Sequence, residues 1–512
     1  MIKARPLTVI AFGIIAGAVF ADLSYRYENI WIFLIFPISL IIVTAVVYLA
    51  GRADSERQRG ISFVSLVISV CFAIGYVNYD LETVRFQNSD IDVGRYEVSG
   101  KVDRRTERNN YTELIIDEVK VRGEGEYESD YKMRVYVYMD DELKADIGDE
   151  IAFSAKVNSY GTMYNGEVNH DMILDGIKTY CSVQASKVMK EGSDPNIFEG
   201  INIAVREKLR SIMSYEEFSL SYAMLTGNSG YIPTEVIEKF RAGGIAHIFA
   251  VSGLHIGFLF GAIYFVIKRI KSAWIKFGIA MPILIFYTAI CGFTPSCMRA
   301  VIMCGVFMTA QFRREKYDAL NSLLLSAVIL LTISPMYLYD VGFILSYTCV
   351  LSIIVMMPVI RNALKFLPRK INNSLSLVMS VQIGVLPLNL VYFNFMSPLS
   401  LMINMLVVPL ISVVFVILLV TLIISLIIPI AGHLMYFPEF CIKYIKLFIT
   451  KFEYEMISIS DVEIGSYIFC YYALLLLCSY HINLRRPVRL FFIFLFSAIL
   501  VAGLIQLNIG VS

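Results

Sequence analysis

The chain has 512 residues, of which 57% are apolar, and its 44 basic and 43 acidic residues leave a formal net charge of +1. Its many nearly uncharged apolar runs are long enough, or almost so, to cross a hydrocarbon core of about 30 Å, which excludes a soluble globular protein. All cysteines except Cys181 lie in or beside apolar segments, which excludes a disulfide scaffold. The composition therefore predicts a polytopic α-helical membrane protein.

Three apolar segments open the chain: Leu7–Ala21, Ile30–Ala50 and Ile61–Tyr79. Because other hydrophobic segments follow so closely, we interpret the first as an uncleaved span rather than a signal peptide. Basic residues before the first segment and between the second and third are predicted to be cytoplasmic by the positive-inside rule. Three crossings that begin in the cytoplasm place the residues after Tyr79 on the extracytoplasmic side.

Residues 81–195 differ from the rest of the chain, because charged residues are dense and apolar residues alternate with polar ones. The alternation predicts five strands: Tyr96–Val102, Leu114–Val121, Met133–Met139, Ile151–Val157 and Thr179–Val188. Five short strands with intervening turns indicate a small extracytoplasmic β-barrel of the OB type.

Such a barrel could contact single-stranded nucleic acid through aromatic rings that stack on bases and cations that follow phosphates. Candidate stacking residues are Tyr111, Tyr136 and Tyr138, and the candidate cations are Arg104, Arg105 and Arg108. Acidic residues outnumber basic ones in this region, so we expect weak DNA contact at most. The alternative is that the three arginines form a solvated loop face.

After the barrel, Ile201–Met213 is predicted to be an amphipathic helix on the outer membrane surface. A helix-ending turn at Thr226–Asn228 and a short helix, Thr234–Arg241, then lead into an apolar stretch that begins at Gly243. The later predicted elements are spans at Phe277–Gly292, Ser296–Phe312, Ala319–Ser334, Gly342–Met357 and Leu375–Tyr392, a broken or re-entrant pair at Leu399–Ile428, a surface helix at His433–Ile459, and spans at Ser466–His481 and Leu490–Asn508. Four basic loops agree with this alternating path, which gives about 11 crossings and an outside C-terminus.

The stretch Gly243–Gly261 carries polar side chains that are costly in hydrocarbon unless they are satisfied. On one helix, Ser252 and His255 would share a face, and His247 would lie about 80° away. These groups either line a wet cavity or bond to neighbouring helices. Gly253 with Gly257, and Gly257 with Gly261, would let another helix approach closely.

Other polar residues lie within the later apolar segments. Arg299, which follows Ser296 at the start of a span, needs a partner or an anion at that depth. Asp340 is either the N-cap of the next helix or the partner of Arg299. The amides of Gln382, Asn389 and Asn404 either bond between helices or line a path. Pro295 and Pro387 indicate kinks or turns that can expose backbone carbonyls to water.

The motif AHIFAVSGLHIG resembles the signature of the ComEC-type competence proteins, which carry one strand of transforming DNA across the bacterial cytoplasmic membrane. The likeness continues in AMLTGN (223–228), CGFTPSCMRAVIM (291–303), DVGFILSY (340–347) and QIGVLPLNLVYFNFMSPLSLMINMLVVPL (382–410). Three helices in 1–80, the OB-like domain in 81–195 and a competence-type channel domain in 196–512 follow the order expected of the family. The barrel departs from the family pattern in NGEVNHDMIL (165–174), which weakens any carry-over of nucleic-acid contacts there.

The resemblance implies a channel for single-stranded DNA in the plasma membrane, active in natural transformation. For such a channel, the polar residues of the apolar segments give the candidate lining of the path: His247, Ser252, Gly253, His255, Ser296, Arg299, Asp340, Gln382, Asn389 and Asn404. Many family members also carry a metallo-β-lactamase-like domain with an HxHxDH motif, which this sequence lacks. We therefore expect no metallonuclease activity, no bound metal and no cofactor.

The sequence has no GxxxxGK[ST] phosphate loop, so we expect an external source of energy. The expected partners are single-stranded DNA, membrane lipid, a cytoplasmic helicase motor, a DNA receptor and a separate nuclease. A proton gradient acting through His247 and His255 is the alternative energy source. Two other functions stay open: transport of another polyanionic or lipid-linked substrate, and an intramembrane hydrolase with Ser252 as nucleophile and His255 as base.

Overall fold

A computed structural model describes residues 6–27, 56–88, 93–393 with short gaps, 395–396, 400–451, 457–458, 471–472 and 475. The chain divides into two compact units. The first unit contains Met1–Arg206 and Ile285–Phe343, and the second contains Glu207–Leu284 and Ile344–Ser512.

The helices of the described residues are α1 Pro6–Arg26, α2 Glu56–Asn88, α3 His170–Asp175, α4 Ile197–Arg210, α5 Tyr215–Thr226, α6 Thr234–Ala242, α7 Gly253–Ile267, α8 Ala273–Ile290, α9 Pro295–Arg313, α10 Ala319–Ile333, α11 Val341–Ala363, α12 Arg369–Phe393, α13 Ser400–Ile427 and α14 Tyr436–Thr450. Within the described ranges, six of them are long and apolar enough to cross a membrane: α1, α2, α8, α11, α12 and α13. Helices α7 and α10 are apolar but shorter. These helices fit a multi-pass membrane protein.

The count of about 11 crossings is not confirmed and stays a prediction. The predicted span Ile30–Ala50 and the last one, Leu490–Asn508, lie outside the described residues, and so does most of Ser466–His481.

The predicted broken or re-entrant pair at 399–428 is wrong. Helix α13 runs without interruption through Asn404 and Pro409. A proline removes one backbone hydrogen bond, but the helix continues when the neighbouring turns are intact. Its 28 residues give a length of about 42 Å, so a single tilted span accommodates the whole run.

The described strands are β1 Gly94–Glu107, β2 Tyr111–Arg122, β3 Glu126–Glu128, β4 Lys132–Tyr138, β5 Asp149–Ser159, β6 Met163–Tyr164, β7 Glu167–Val168, β8 Ile177–Gln184, β9 Met189–Ser193, β10 Phe395–Met396 and β11 Ile457–Ser458. The order β1-β2-β4-β8-β5 closes because β5 also pairs with β1. The pair β4–β8 is parallel, and the other pairs in the closed ring are antiparallel. The predicted five-stranded barrel is therefore confirmed, with its alternating apolar residues inside.

Two ion pairs join helix α4 to the barrel. Lys101 of β1 lies 2.7 Å from Glu199, and Arg206 pairs with Asp146 in the turn before β5. That turn contains Gly148, whose φ of +84° is a left-handed conformation suited to glycine. The predicted amphipathic helix is thus present, and part of its polar face bonds to the barrel.

Buried polar side chains join the barrel to the first two helices. His170 Nε2 lies 2.9 Å from Asp22 Oδ1, and the Tyr79 hydroxyl donates to the same oxygen at 2.9 Å. The His170 ring stacks on Tyr339 at 3.8 Å. Lys178 of β8 donates to the carbonyl of Phe86 near the end of α2 at 2.8 Å. These contacts hold the barrel against α1 and α2 within the first unit.

Helix α14 carries apolar residues on two faces. Ile442 and Ile445 are buried, whereas Phe440 and Tyr444 are more than half exposed. Lys446 lies 2.6 Å from Glu217 of α5, so the helix is also held by an ion pair within the second unit. The helix predicted within 433–459 is therefore present, and its exposed aromatic face is typical of a helix at a membrane surface.

Candidate functional site

The stretch Gly243–Gly261 is not one helix, so the interpretation that placed His247 and His255 on a shared helix is wrong. His247 lies in a 3₁₀ turn, and α7 begins only at Gly253. Ser252 has extended backbone angles and is the N-cap of α7. Its side-chain oxygen accepts from the Leu254 N–H at 3.3 Å, which satisfies one of the free N–H groups of the first helical turn.

His255 completes this cap from the third helical position. Its Nδ1 accepts the backbone N–H of Ser252 at 3.1 Å and lies 3.1 Å from the Ser252 hydroxyl. The ring is buried, with its plane edge-on to Phe415 of α13 at 4.7 Å. Because Nδ1 is an acceptor, the proton of the neutral ring lies on Nε2. The pair is close enough for proton transfer, but both side chains already have a structural role.

His247 and Asn404 meet at the backbone of Gly244. The Asn404 amide donates to the Gly244 carbonyl at 3.4 Å, and His247 also forms a hydrogen bond with the backbone there. Asn404 is buried and His247 is exposed. The structure thus brings His247, Ser252, His255 and Asn404 together between the start of α7 and helix α13, and we call these four residues the loop cluster.

The small-residue motif after Ser252 makes no close helix contact within the described residues. A Cβ added at Gly257 or Gly261 would meet no atom within 4 Å in the described part of the chain. Among the described residues no helix approaches these two glycines closely, and the predicted close approach stays a prediction. Gly253 instead opens α7.

Close helix contacts that the sequence motifs did not indicate occur elsewhere. A Cβ on Gly17 of α1 would lie 2.1 Å from the carbonyl oxygen of Phe72 in α2. A Cβ on Gly384 of α12 would lie 2.2 Å from the hydroxyl oxygen of Ser352 in α11. Small residues at four-residue spacing, such as Gly13 with Gly17, are the sequence signal that could have identified the first contact.

Helix α12 carries two predicted path residues, Gln382 and Asn389. They are seven residues apart and therefore lie on a similar face of the helix. Both are half-buried, and neither amide has a hydrogen-bond partner among the described residues.

Pro387 has no N–H, so one carbonyl of α12 lacks its helical hydrogen-bond donor. A tyrosine hydroxyl donates to that carbonyl, in contrast to the expected exposure of the carbonyl to water. That carbonyl belongs to Ile383, and it accepts the Tyr471 hydroxyl at 2.5 Å. Tyr472 donates to the next carbonyl, that of Gly384, at 2.7 Å. Pro295 is the first residue of α9, where proline is favoured and no kink results.

The predicted residues Ser296, Arg299 and Asp340 belong to the first unit. Arg299 is 6% exposed, and the Ser296 hydroxyl donates to the Gly342 carbonyl at 3.2 Å. Asp340 accepts the Phe343 N–H at 2.5 Å, which confirms that it caps α11. Burial raises the pKa of the Asp340 carboxyl, and this hydrogen bond opposes the rise.

Two nearby carboxylates, those of Asp171 and Asp175, also raise the pKa of Asp340. The alternative interpretation of Asp340 as the partner of Arg299 stays a prediction.

The barrel places its candidate aromatic residues side by side. The Tyr111 ring lies 5.6 Å from Tyr136 and 6.2 Å from Tyr138. Sequence reasoning missed Tyr160, whose ring lies 4.6 Å from Tyr180 and whose hydroxyl lies 3.4 Å from that of Tyr136. Burial and that hydrogen bond raise the pKa of Tyr160 to about 12.

The three candidate arginines of the barrel differ in their surroundings. Arg105 donates to the Ala145 carbonyl at 2.7 Å and to Glu107 at 3.1 Å, so it stabilises a loop. Arg104 and Arg108 are exposed. Within the described ranges, no group of three or more His, Cys, Asp or Glu side chains could hold a metal ion.

Comparison with known proteins identifies one family. A family model described as "Competence protein" matches residues 224–484. The chain is similar to ComE operon protein 3 of Bacillus subtilis (strain 168), with 26% identity over 42% of this chain and 28% of the relative. It is also similar to an uncharacterized protein of Aquifex aeolicus (strain VF5), with 26% identity over 38% of this chain and 45% of the relative. The chain thus spans less than half of each relative's length, and no solved structure matches it.

Proposed function

Because the chain belongs to the competence protein family, we propose that it is a channel that passes single-stranded DNA across the bacterial cytoplasmic membrane during natural transformation. The observation that carries this proposal is the family match over residues 224–484, which includes all ten predicted path residues from His247 to Asn404. Family membership suggests a role in DNA uptake, and passage of a single strand is the finer step that we add.

The chemistry of the predicted path supports this proposal. A phosphate backbone brings full charges into a region of low dielectric, so its path needs cations or uncharged polar groups. Arg299 supplies a buried cation in α9, and α12 supplies the amides of Gln382 and Asn389. We propose that Gln382, Asn389 and the loop cluster line the path of the strand in the second unit, and that Arg299 lines it in the first.

We infer that the chain is a transport protein rather than an enzyme. The hydrogen bonds of Ser252 and His255 are those of a helix cap, which explains their proximity without a hydrolytic reaction. A cytoplasmic helicase would then pull the strand, with a DNA receptor and a separate nuclease acting outside. The proposed orientation places the barrel and the C-terminus on the extracytoplasmic side.

Uptake of labelled DNA in a competent host tests the proposal. We expect the double variant Gln382→Leu/Asn389→Leu to reduce entry of label into the cytoplasm at least about tenfold, because a strand would meet an apolar wall. Gln311→Leu, which removes a comparable amide from an exposed position, serves as the matched control. Immunoblots of membranes establish that each variant is present at the normal level.

Normal uptake by the double variant and by Arg299→Met, both at normal abundance, would contradict the proposed path. Normal uptake after deletion of the whole gene would instead favour transport of another polyanionic or lipid-linked substrate.

A further inference from the structure

A polar cavity of about 430 Å³ lies at the turn between α11 and α12 in the second unit. This volume is within the range of about 300–1,000 Å³ that is typical of small-molecule sites. Its polar lining consists of three cations and three amides: Arg361, Lys365, Arg369, Asn362, Asn372 and Asn373. The proposed function does not use any of these residues.

The charge of this cavity is not compensated locally. Between residues 341 and 438 the sequence contains Arg361, Lys365, Arg369 and Lys370 but no aspartate or glutamate. No ion pair involves the three lining cations within the part of the chain that the structure describes. The cavity therefore has a strongly positive character and favours an anion.

The first turn of α12 adds further donors. Asn372 is buried and held by two hydrogen bonds, from its amide to the Arg361 carbonyl at 3.1 Å and from the Ser376 hydroxyl to its oxygen at 2.9 Å. The first intrahelical bond is donated by the Asn372 N–H to Pro368. The N–H groups that precede Asn372 in α12 therefore donate no hydrogen bond within the helix. The positive end of the helix dipole also faces this turn.

Two large, exposed apolar side chains lie close in sequence to the cations of this site. Phe366 is 79% exposed and Ile371 is 47% exposed, and both lie within two residues of a lining cation. A base of a nucleic-acid strand could stack on Phe366 but would leave Ile371 in water, whereas a lipid would cover both with acyl chains while its phosphate meets the cations. The combination favours a lipid over DNA.

We propose that this cavity binds the headgroup phosphate of an anionic phospholipid such as phosphatidylglycerol. The lipid comes from the leaflet that faces the turn, which the positive-inside rule predicts to be the cytoplasmic one. Its acyl chains contact Phe366 and Ile371. The bound lipid fixes the turn between α11 and α12 at the membrane surface, and this role does not depend on DNA conduction.

Lipid titration of the purified full-length protein in detergent tests this site. Native mass spectrometry compares the wild type with Arg361→Gln/Lys365→Gln/Arg369→Gln, using phosphatidylglycerol and, in parallel, phosphatidylcholine. The matched control is Lys268→Gln/Arg269→Gln/Lys271→Gln, which removes the same charge from another exposed basic turn. We expect at least about tenfold weaker phosphatidylglycerol binding in the cavity variant, a change within about twofold in the control, and similar phosphatidylcholine binding in all three.

Equal weakening of phosphatidylglycerol binding in both triple variants would overturn the proposal, because it would indicate diffuse attraction to basic turns. If the cavity variant does not fold, Lys365→Gln alone serves, since its side chain is exposed, and we expect about fivefold weaker binding.

Two further arms distinguish the source of the anion. Stabilisation by millimolar inorganic phosphate to the same extent as by the lipid, and dependent on Lys365, would show a free-anion site. Displacement of the lipid by a single-stranded oligonucleotide that itself requires Lys365 would show a DNA site. Either result contradicts the lipid proposal, and neither bears on whether the channel conducts DNA.

Discussion

At the scale of single residues, the polar side chains of the central stretch have a structural role that can be separated from transport. Ser252 has extended backbone angles and caps α7, and the His255 ring accepts the backbone N–H of Ser252. A serine and a histidine three residues apart would suggest a nucleophile and a base, but the same spacing is that of a capping box.

Substitution at Ser252 distinguishes these roles. Ser252→Ala removes the acceptor for the Leu254 N–H, so we expect a loss of about 1 kcal/mol in the free energy of unfolding. Ser252→Asn keeps a side-chain acceptor, and we expect it to retain wild-type stability and DNA uptake. Thermal unfolding in detergent and the uptake assay measure the two quantities.

A nucleophilic serine would give a different result. In that case Ser252→Asn would abolish function as completely as Ser252→Ala, although its stability stays normal. Labelling of Ser252 by a serine-directed probe would support the same conclusion.

At the scale of helices, small residues decide which pairs approach closely, but their sequence pattern does not identify the partner. Gly384 faces Ser352 at a distance that leaves no room for a methyl group, whereas no atom of the described residues lies within 4 Å of a Cβ added at Gly257. The two glycines look alike in the sequence, since both lie in apolar segments. The difference arises because α11 and α12 cross where each helix has a small residue.

Two alanine substitutions test this contrast. Gly384→Ala would force Ser352 or the helix backbone to move, so we expect a loss of about 1–3 kcal/mol in the free energy of unfolding. We expect Gly257→Ala to be neutral or to stabilise by up to about 1 kcal/mol, because alanine favours a helix and no atom is near. Chemical unfolding in mixed micelles measures both, and equal effects would contradict the close contact at Gly384.

At the scale of the whole molecule, the barrel is attached to the membrane helices by buried polar groups in addition to apolar packing. His170 lies in α3, after the strands β6 and β7, and reaches Asp22 of α1. Asp22 also accepts from Tyr79 of α2. One buried carboxylate therefore connects three segments that are distant in the sequence.

Removal of the His170 ring tests this attachment. His170→Ala leaves Asp22 with fewer partners, and we expect a local loss of about 1.5–3 kcal/mol, the range for hydrogen bonds to charged groups. Hydrogen exchange should become faster in α3 and at the barrel end of α1. Asp171→Ala, at the exposed neighbouring position, is the control and should leave the exchange unchanged. Equal protection in both variants would contradict the role of His170.

The sequence alone determined the elements that depend on local pattern. The strands of the barrel follow from alternation of apolar and polar residues, as at Leu114–Val121, and the apolar helices follow from uncharged runs. The end of α5 at Gly227 and the cap at Asp340 also follow from local chemistry, because both depend on residues within one turn. The family could be recognised because its motifs are contiguous.

Only the tertiary structure decided which of these elements meet. The pairing of His170 with Asp22 and the contact of Gly384 with Ser352 each depend on neighbours that are distant in sequence. A polar residue in an apolar run costs free energy unless it has a hydrogen-bond partner, but the run contains no information about which group is that partner. That group is set by packing between helices, where the energy of a contact depends on three-dimensional proximity rather than on spacing along the chain.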